Sequence, residues 1–297
     1  MIEITDVRKS YGNKHAVKGI SFEVKEGEIL GFLGPNGAGK STTLNIITGY
    51  LSADSGSVKI DGTDILQNPI KAKKDIGFLP EIPPLYLEMT VLEYLNFVYD
   101  LKGCKLPRKQ HLKEICEVVK IWDVANRLTK NLSKGYRQRV GIAQALIGNP
   151  KVLIFDEPTI GLDPRQIIEI RNLIRMLGKE HTIILSTHIL PEVQAVCDRI
   201  VVINKGEIVA NEKTEDLVNA VDGSRKLVAK IVGPQEEVLK AIKSLGGVKS
   251  ADVLGKRDTD SISYLIESQD RVDIRKPLFA LLSGRNWPLV GLEGMEL

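Results

Sequence analysis

The sequence predicts an α/β protein in two parts. The first has a parallel-sheet core, an antiparallel β piece and an inserted helical block; the second is a small α+β module. Three observations lead there. Short apolar runs recur, each ending in polar or glycine-rich residues, as strands of a buried parallel sheet do. Between two of these runs, from Thr90 to about Leu146, the apolar residues follow helical spacing instead. After a polar stretch near residue 220 the element order changes to βαββαβ, the split pattern of ferredoxin-like modules.

Residues 2 to 33 alternate as strands do. "ISFEV" puts Ile20, Phe22 and Val24 on one face and Ser21 and Glu23 on the other. "EILGFLG" is a buried strand ending in a glycine-rich loop, and "KSTTLNIITGY" continues as a helix. "SGSVKIDG" alternates between turn signals, and "IGFL", residues 76 to 79, is a further buried strand. In the helical block, Val91, Tyr94, Leu95, Val98 and Leu101 share a face, as do Leu112, Ile115, Val119 and Trp122. From Lys151, "KVLIF", "TIILS", "PEVQAVCD" and "RIVVI" read as repeating β-α-β. The stretch "NAVDGSRK", Asn219 to Lys226, is a candidate linker, which sets domains at 1–220 and 221–297. Beyond it the expected order is strand 227–232, helix 235–245, strands 247–254 and 261–267, helix 270–283 and strand 287–293.

A length of 297 residues fits two domains, and 43% hydrophobic residues supports real cores. A net charge of +3 is too small an excess to argue for nucleic acid, so none is expected as a partner. Cys104, Cys116 and Cys197 form no close metal-type pair and read as reduced thiols. "MIEITDVRKSYG" has no signal-peptide core, and no apolar run approaches the roughly 18 residues needed to span a bilayer.

The chemistry begins at "GPNGAGKS", a full match to G-x-x-x-x-G-K-[ST] with an apolar strand before it and a helix after it. Gly34, Pro35, Asn36, Gly37, Ala38, Gly39, Lys40, Ser41 and the following Thr42 are the candidate phosphate-binding residues. The glycines let backbone N–H groups wrap the phosphates, Lys40 reaches the β- and γ-phosphates, and the Ser41 hydroxyl suits Mg²⁺. "KVLIFDEP" delivers two adjacent carboxylates at a buried strand end. Asp156 suits Mg²⁺, and Glu157 suits a general base that aligns the attacking water. "TIILSTH" repeats the design and ends at His188, placed to meet the γ-phosphate or that water. "NKGE", Asn204 to Glu207, loosely matches a guanine-reading motif but reads as a β-turn through Gly206. "LSKGYRQRV", Leu132 to Val140, looks like a second, weaker anion-binding turn at a helix start.

Together these motifs resemble the ATP-binding subunit of an ABC transporter, over roughly residues 2 to 215 and in the family's order. Gly34–Ser41 is similar to the Walker A motif, Val152–Glu157 to Walker B, Gly161-Leu162-Asp163 to the D-loop and His188 to the switch histidine. "LSKGYRQRV" resembles the signature motif. The resemblance implies an ABC-type P-loop ATPase domain plus the accessory module, with ATP and Mg²⁺ as ligands. It also implies a head-to-tail dimer with a second copy or a related subunit. ATP then lies between the Walker A of one chain and Ser133 and Gly135 of the other, near the D-loop Asp163. Tyr11 sits where the family stacks an aromatic on adenine.

Two departures stand out. Lys134 and Tyr136 replace the family's Gly and Gln in the signature, so a capping box from Ser133 to residue 136 is lost, while Lys134 adds charge that attracts phosphate. Glu81 replaces the usual Q-loop Gln and is expected to meet Mg²⁺ through water, which makes Ser41, Glu81 and Asp156 the candidate metal set. "LPE" with "PPLY" and "MTVLEYL" is similar to exporter ATPases whose permease is a separate transmembrane chain. Tyr86 to Tyr94 is then either the permease-docking surface or core of the helical block. The expected place of the chain is peripheral, at the cytoplasmic face of the membrane. The competing functions are a soluble ABC-type ATPase acting on ribosomes or DNA, and a C-terminal ligand sensor or RNA binder. One Walker A and no heptad run speak against the first. The scarcity of aromatics in "LVAKIVG" and "SISYLI", where Tyr264 stands alone, speaks against RNA.

Overall fold

Strand β1 (Ile2–Tyr11) buries Ile2, Ile4 and Val7 and pairs antiparallel with β2 (Lys14–Val24), whose Ile20, Phe22 and Val24 are buried as the alternation requires. The computed structural model describes residues 1–216, 226–256, 260–269 and 272–294. Its contacts fall into two units, Met1–Thr214 and Glu215–Leu297. The expected boundary after residue 220, and the linker up to residue 225, lie outside the described residues.

In the first unit, β4 (Ser55–Ile60) joins the other edge of β1 and β5 (Thr63–Asp64) follows it, giving an antiparallel sheet of order β2-β1-β4-β5. The main sheet combines β3 (Ile29–Leu33), β6 (Ile76–Leu79), β7 (Val152–Asp156), β8 (Thr182–Thr187), β9 (Arg199–Asn204) and β10 (Glu207–Lys213) in the order β10-β9-β3-β8-β7-β6. All neighbours run parallel except β10, which returns from β9 through Lys205 and Gly206. Both carry positive φ, 49° and 83°, as a tight hairpin turn of this hand requires, so "NKGE" is a turn. Every residue of β7 and β8 is buried, which explains their unbroken apolar reading. The registers Leu33↔Thr187 and Asp156↔Ser186 align the carboxyl ends of β3, β8 and β7 side by side, where open α/β sheets bind ligands.

Helix α1 (Lys40–Ile47) follows β3, and α2 (Pro69–Lys74) precedes β6. The helical block is α3 (Val91–Leu101), α4 (Arg108–Val118) and α5 (Lys134–Leu146). A capping box starts α3: Glu93 N donates to Thr90 Oγ1 at 3.3 Å and Thr90 N to Glu93 Oε2 at 2.8 Å. The apolar spacing overstated both helical faces. Lys120 turns left-handed at φ 58° and ends α4, so Trp122 falls in a short 3-10 turn and is 46% exposed; Leu101, the last residue of α3, is 73% exposed. At the end of α5, Lys102 Nζ donates to the carbonyls of Gln144, Ala145 and Ile147 at 2.9, 3.2 and 3.1 Å, while burial pushes its pKa down to about 8. Helices α6 (Pro164–Leu177) and α7 (Leu190–Val196) follow β7 and β8.

Close packing of α5 on the sheet rests on Gly77 of β6. A Cβ there would lie 2.3 Å from the Ala145 carbonyl oxygen, and backbone cannot swing aside as a side chain can. Gly77→Ala is expected to destabilise the protein by about 1–3 kcal/mol through overpacking, read as a lower urea midpoint. An unchanged midpoint would mean that α5 shifts freely on the sheet.

The second unit contains β11 (Lys226–Ile231), α8 (Gln235–Lys243), β12 (Val248–Lys256), β13 (Ile262–Ser268), α9 (Arg275–Gly284) and β14 (Leu289–Gly294). The strands form an antiparallel sheet of order β12-β13-β11-β14, the ferredoxin-like arrangement expected from βαββαβ. Leu227, Ala229 and Ile231 pack with Val238, Ile242, Ile266 and Leu278 in its core. Tyr264 is fully buried there, so it is not available to stack on a base. Among the described residues no helix is long and apolar enough to cross a membrane.

Candidate nucleotide site

The apolar run of β3 ends where Gly34 N donates to Thr187 O of β8 at 3.3 Å. Only glycine fits at 34, because a Cβ would meet the Ile203 carbonyl oxygen at 2.3 Å. Gly37 and Gly39 take φ of 79° and 111°, which turns the loop back over the sheet end. Within it Ala38 N donates to Pro35 O at 3.1 Å. Gly39 caps α1 with no side chain, so the first N–H groups of the helix face the loop without a side-chain partner, an arrangement that suits an anion.

Lys40 is 6% exposed. Its Nζ donates to Gly34 O at 2.7 Å and to Pro35 O at 3.4 Å, and lies 3.6 Å from Glu157 Oε1. Glu157 takes a left-handed φ of 48°, its N–H donates to Ser186 O at 2.9 Å, and its Oε1 is 2.9 Å from His188 Nδ1. The ends of β3, β7 and β8 thus bring a cation, a carboxylate and an imidazole into one chain of contacts. Asp156, one residue earlier, is buried, and its Oδ1 has no hydrogen-bond partner among the described residues. Burial raises its pKa above the usual carboxylate value; the Ser186 and Ser41 hydroxyls nearby pull it back, and the charges of Glu157 and Glu81 add to the rise.

A cavity of about 310 Å³ opens over these groups. Tyr11, Asn36, Gly37, Gly39, Lys40, Ser41, Thr42, Glu81, Glu157 and His188 line it. Tyr11, half exposed at the end of β1, stands at this cavity, far in sequence from the loop. Within one chain, Ser133, Gly135 and Asp163 do not join the lining. Ser133 caps α5 by accepting from Tyr136 N at 3.3 Å, and with Gly135 it lines a separate cavity of about 250 Å³. The Tyr136 hydroxyl donates to Asp123 Oδ2 at 2.9 Å, so residue 136 gives no return bond to the cap. Asp163 caps α6 by accepting from Gln166 N at 2.9 Å.

The structure refines two expectations. Lys134 does not line the cavity of Ser133 and Gly135. It lies across Gly161, whose φ is 66°, and lines a third cavity of about 750 Å³ with Glu81, Ile82, Pro83 and Leu87. Its charge therefore lies on the Glu81 side of the Gly161 turn. The stretch Tyr86 to Tyr94 also divides. Ile82, Tyr86 and Leu87 are 81%, 54% and 47% exposed, whereas Val91 and Tyr94 on α3 are core, because the capping box turns their face inward.

One residue was missed. Glu192 on α7 is 2% exposed and accepts from Thr159 Oγ1 at 2.7 Å and Thr187 Oγ1 at 3.1 Å. The available signal was its place on the same helical face as Val196, four residues on, where a carboxylate demands donors.

The family model described as ABC transporter matches residues 17–160. The chain is 37% identical over 255 residues to the linearmycin resistance ATP-binding protein LnrL of Bacillus subtilis, across 85% of this chain and 82% of that one. It is 36% identical over 245 residues to the Nod factor export ATP-binding protein I of Rhizobium etli, across 81% and 76%. Among solved structures it is similar to MJ0796, a bacterial ABC transporter cassette solved as a dimer, with a TM-score of 0.66 and 30% identity over 72% of this chain and 99% of that one. The same cassette has also been solved in a post-hydrolysis state with ADP and Pi.

Proposed function

The chain belongs to the ABC transporter family as an ATP-binding, ATP-hydrolysing motor subunit, and from that premise we propose that it drives export through a separate membrane permease while paired head to tail with a second ATPase subunit. The observation carrying this reading is that the chain gathers a phosphate loop, a carboxylate and an imidazole at one cavity and leaves the Ser133–Gly135 turn outside it. Each chain then offers one half of a site to a partner, and the cassette it resembles has been solved as a dimer. ATP binding closes the two halves and hydrolysis reopens them, which converts chemistry into motion.

In this reading Lys40 leaves the Gly34 and Pro35 carbonyls for the β- and γ-phosphates, and Tyr11 stacks on the adenine. Ser41 and Asp156 would hold Mg²⁺, and Glu81 would face it through water. The unpartnered Oδ1 of Asp156 beside Ser41 supports that assignment. Held there, Mg²⁺ would supply positive charge to offset the phosphate charge. Glu157 accepts the proton of the attacking water, and His188 orients Glu157 and meets the γ-phosphate. Exposed Ile82, Tyr86 and Leu87 beside the third cavity supply an apolar surface for the permease, which holds the chain at the cytoplasmic face. Export rests on the relatives named for resistance and export. No observation favours ribosomes or DNA, and a net charge of +3 gives little electrostatic footprint for either.

The test is to tag the chain in its native host, solubilise the membranes gently and identify what co-purifies. A multi-span membrane protein that raises the ATPase rate is the expected result. Co-purification of ribosomes or DNA-associated proteins alone would overturn the transport reading.

A further inference from the structure

Helix α7 puts one carboxylate where the loop after β7, the end of β8 and α6 meet. Glu192 reaches neither solvent nor the nucleotide cavity. Both of its oxygens lie 2.7 Å from Thr159 Oγ1, its Oε2 also accepts from Thr187 Oγ1 at 3.1 Å, and the Arg171 guanidinium approaches Oε1 at 3.7 Å. Thr159 stands two residues after Glu157, and Thr187 immediately precedes His188. The Thr187 hydroxyl also accepts from Ile189 N at 3.2 Å, so His188 is bracketed on both sides. Arg171 belongs to α6, the helix capped by Asp163.

A buried carboxylate is costly unless donors surround it, and once surrounded it fixes the elements that supply them. The two hydroxyl donors come from the loop after β7 and the end of β8, and α6 supplies a counter-charge. They do not come from the phosphate loop. Arg171 Nε is buried and has no partner among the described residues, and the guanidinium faces Glu192 as a charge at 3.7 Å, not by a two-bond fork.

We infer that Glu192 is a positioning residue for hydrolysis: it ties the loop bearing Glu157 to the strand end bearing His188, keeps that pair in contact, and links it through Arg171 to α6. The inference rests on the roles proposed above for Glu157 and His188. Because Lys40 and Ser41 are untouched, loosening Glu192 costs turnover and spares nucleotide binding.

The experiment measures steady-state ATPase kinetics and ATP affinity of the full chain. Glu192→Ala is expected to lower kcat by about 10- to 100-fold while ATP affinity stays within about threefold. Glu192→Gln keeps one acceptor oxygen and is expected to recover part of the loss. Thr187→Val removes one donor at nearly the same shape, and its kcat is expected to fall too, which keeps the test alive should Glu192→Ala fail to fold. In a His188→Ala background the further loss from Glu192→Ala is expected to shrink to about twofold or less, because coupled residues are not additive. A near-parental kcat in a folded Glu192→Ala, or in Thr187→Val should Glu192→Ala not fold, an equal loss of ATP affinity, or a full independent effect in the His188→Ala background would overturn the inference. Glu157→Gln is assayed alongside. Normal turnover there would overturn the roles on which this inference rests, whereas a dead Glu157→Gln beside a normal Glu192→Ala overturns the Glu192 inference alone.

Discussion

Glu157→Gln is expected to bind ATP normally and to lose turnover by about two to four orders of magnitude. The amide has the size and shape of the carboxylate, so the left-handed backbone at 157 and the contact with His188 Nδ1 can both persist. What goes is the proton acceptor. Binding is preserved for an electrostatic reason. Glu157 Oε1 lies 3.6 Å from Lys40 Nζ, and neutralising it removes an anion from the cavity that must take up the phosphates. ATP then enters, the two halves close, and nothing reopens them. The variant is expected to accumulate as an ATP-dependent dimer in size-exclusion chromatography, and to revert to monomer when nucleotide is washed out. Ordinary turnover in Glu157→Gln would take the general-base role away from this residue.

Lys40→Ala is expected to fail one step earlier, at binding. Lys40 is buried, and its ammonium neutralises Glu157 and bonds two loop carbonyls while no nucleotide is present. Truncation removes the cation meant for the phosphates and leaves the Glu157 carboxylate without its ammonium neighbour. Truncating one member of a buried charge pair at a binding site costs about 2–5 kcal/mol of affinity, so ATP affinity is expected to fall by about 30-fold or more. Titration of a fluorescent nucleotide separates the two variants: Glu157→Gln saturates at parental concentrations and Lys40→Ala does not. Retained tight binding in Lys40→Ala would contradict the phosphate assignment. A fall in melting temperature for Lys40→Ala without nucleotide is also expected, because an unpaired buried carboxylate strains the apo site.

Much of this fold is legible in short stretches of the chain. Apolar runs such as "EILGFLG", "KVLIF" and "TIILS" read as buried strands because each is covered on both faces. The complete G-x-x-x-x-G-K-[ST] motif and the "DEP" and "STH" strand ends each carry their chemistry within a few residues. The βαββαβ order of the second unit was legible from alternation and turns alone. In all these cases the signal is local: backbone geometry and side-chain period act over a handful of neighbours.

What only the tertiary structure decided lies between segments far apart in the chain. The apolar spacing that includes Trp122 and Leu101 says nothing about whether another element covers them, and none does well enough to bury them. The spacing of Tyr86 and Tyr94 likewise leaves open which is core; the capping box at Thr90 and the packing of α3 bury Tyr94 and leave Tyr86 half exposed. Lys134 reads in sequence as part of the Ser133–Gly135 turn, yet its side chain lies over Gly161 and lines the cavity beside Glu81. Glu192 is the clearest case. In sequence it is an ordinary acid in a short helix, and its partners Thr159, Thr187 and Arg171 come from three other elements. Burial and hydrogen-bond satisfaction are sums over neighbours in space, so a carboxylate's cost and purpose appear only when the sheet has brought its donors together.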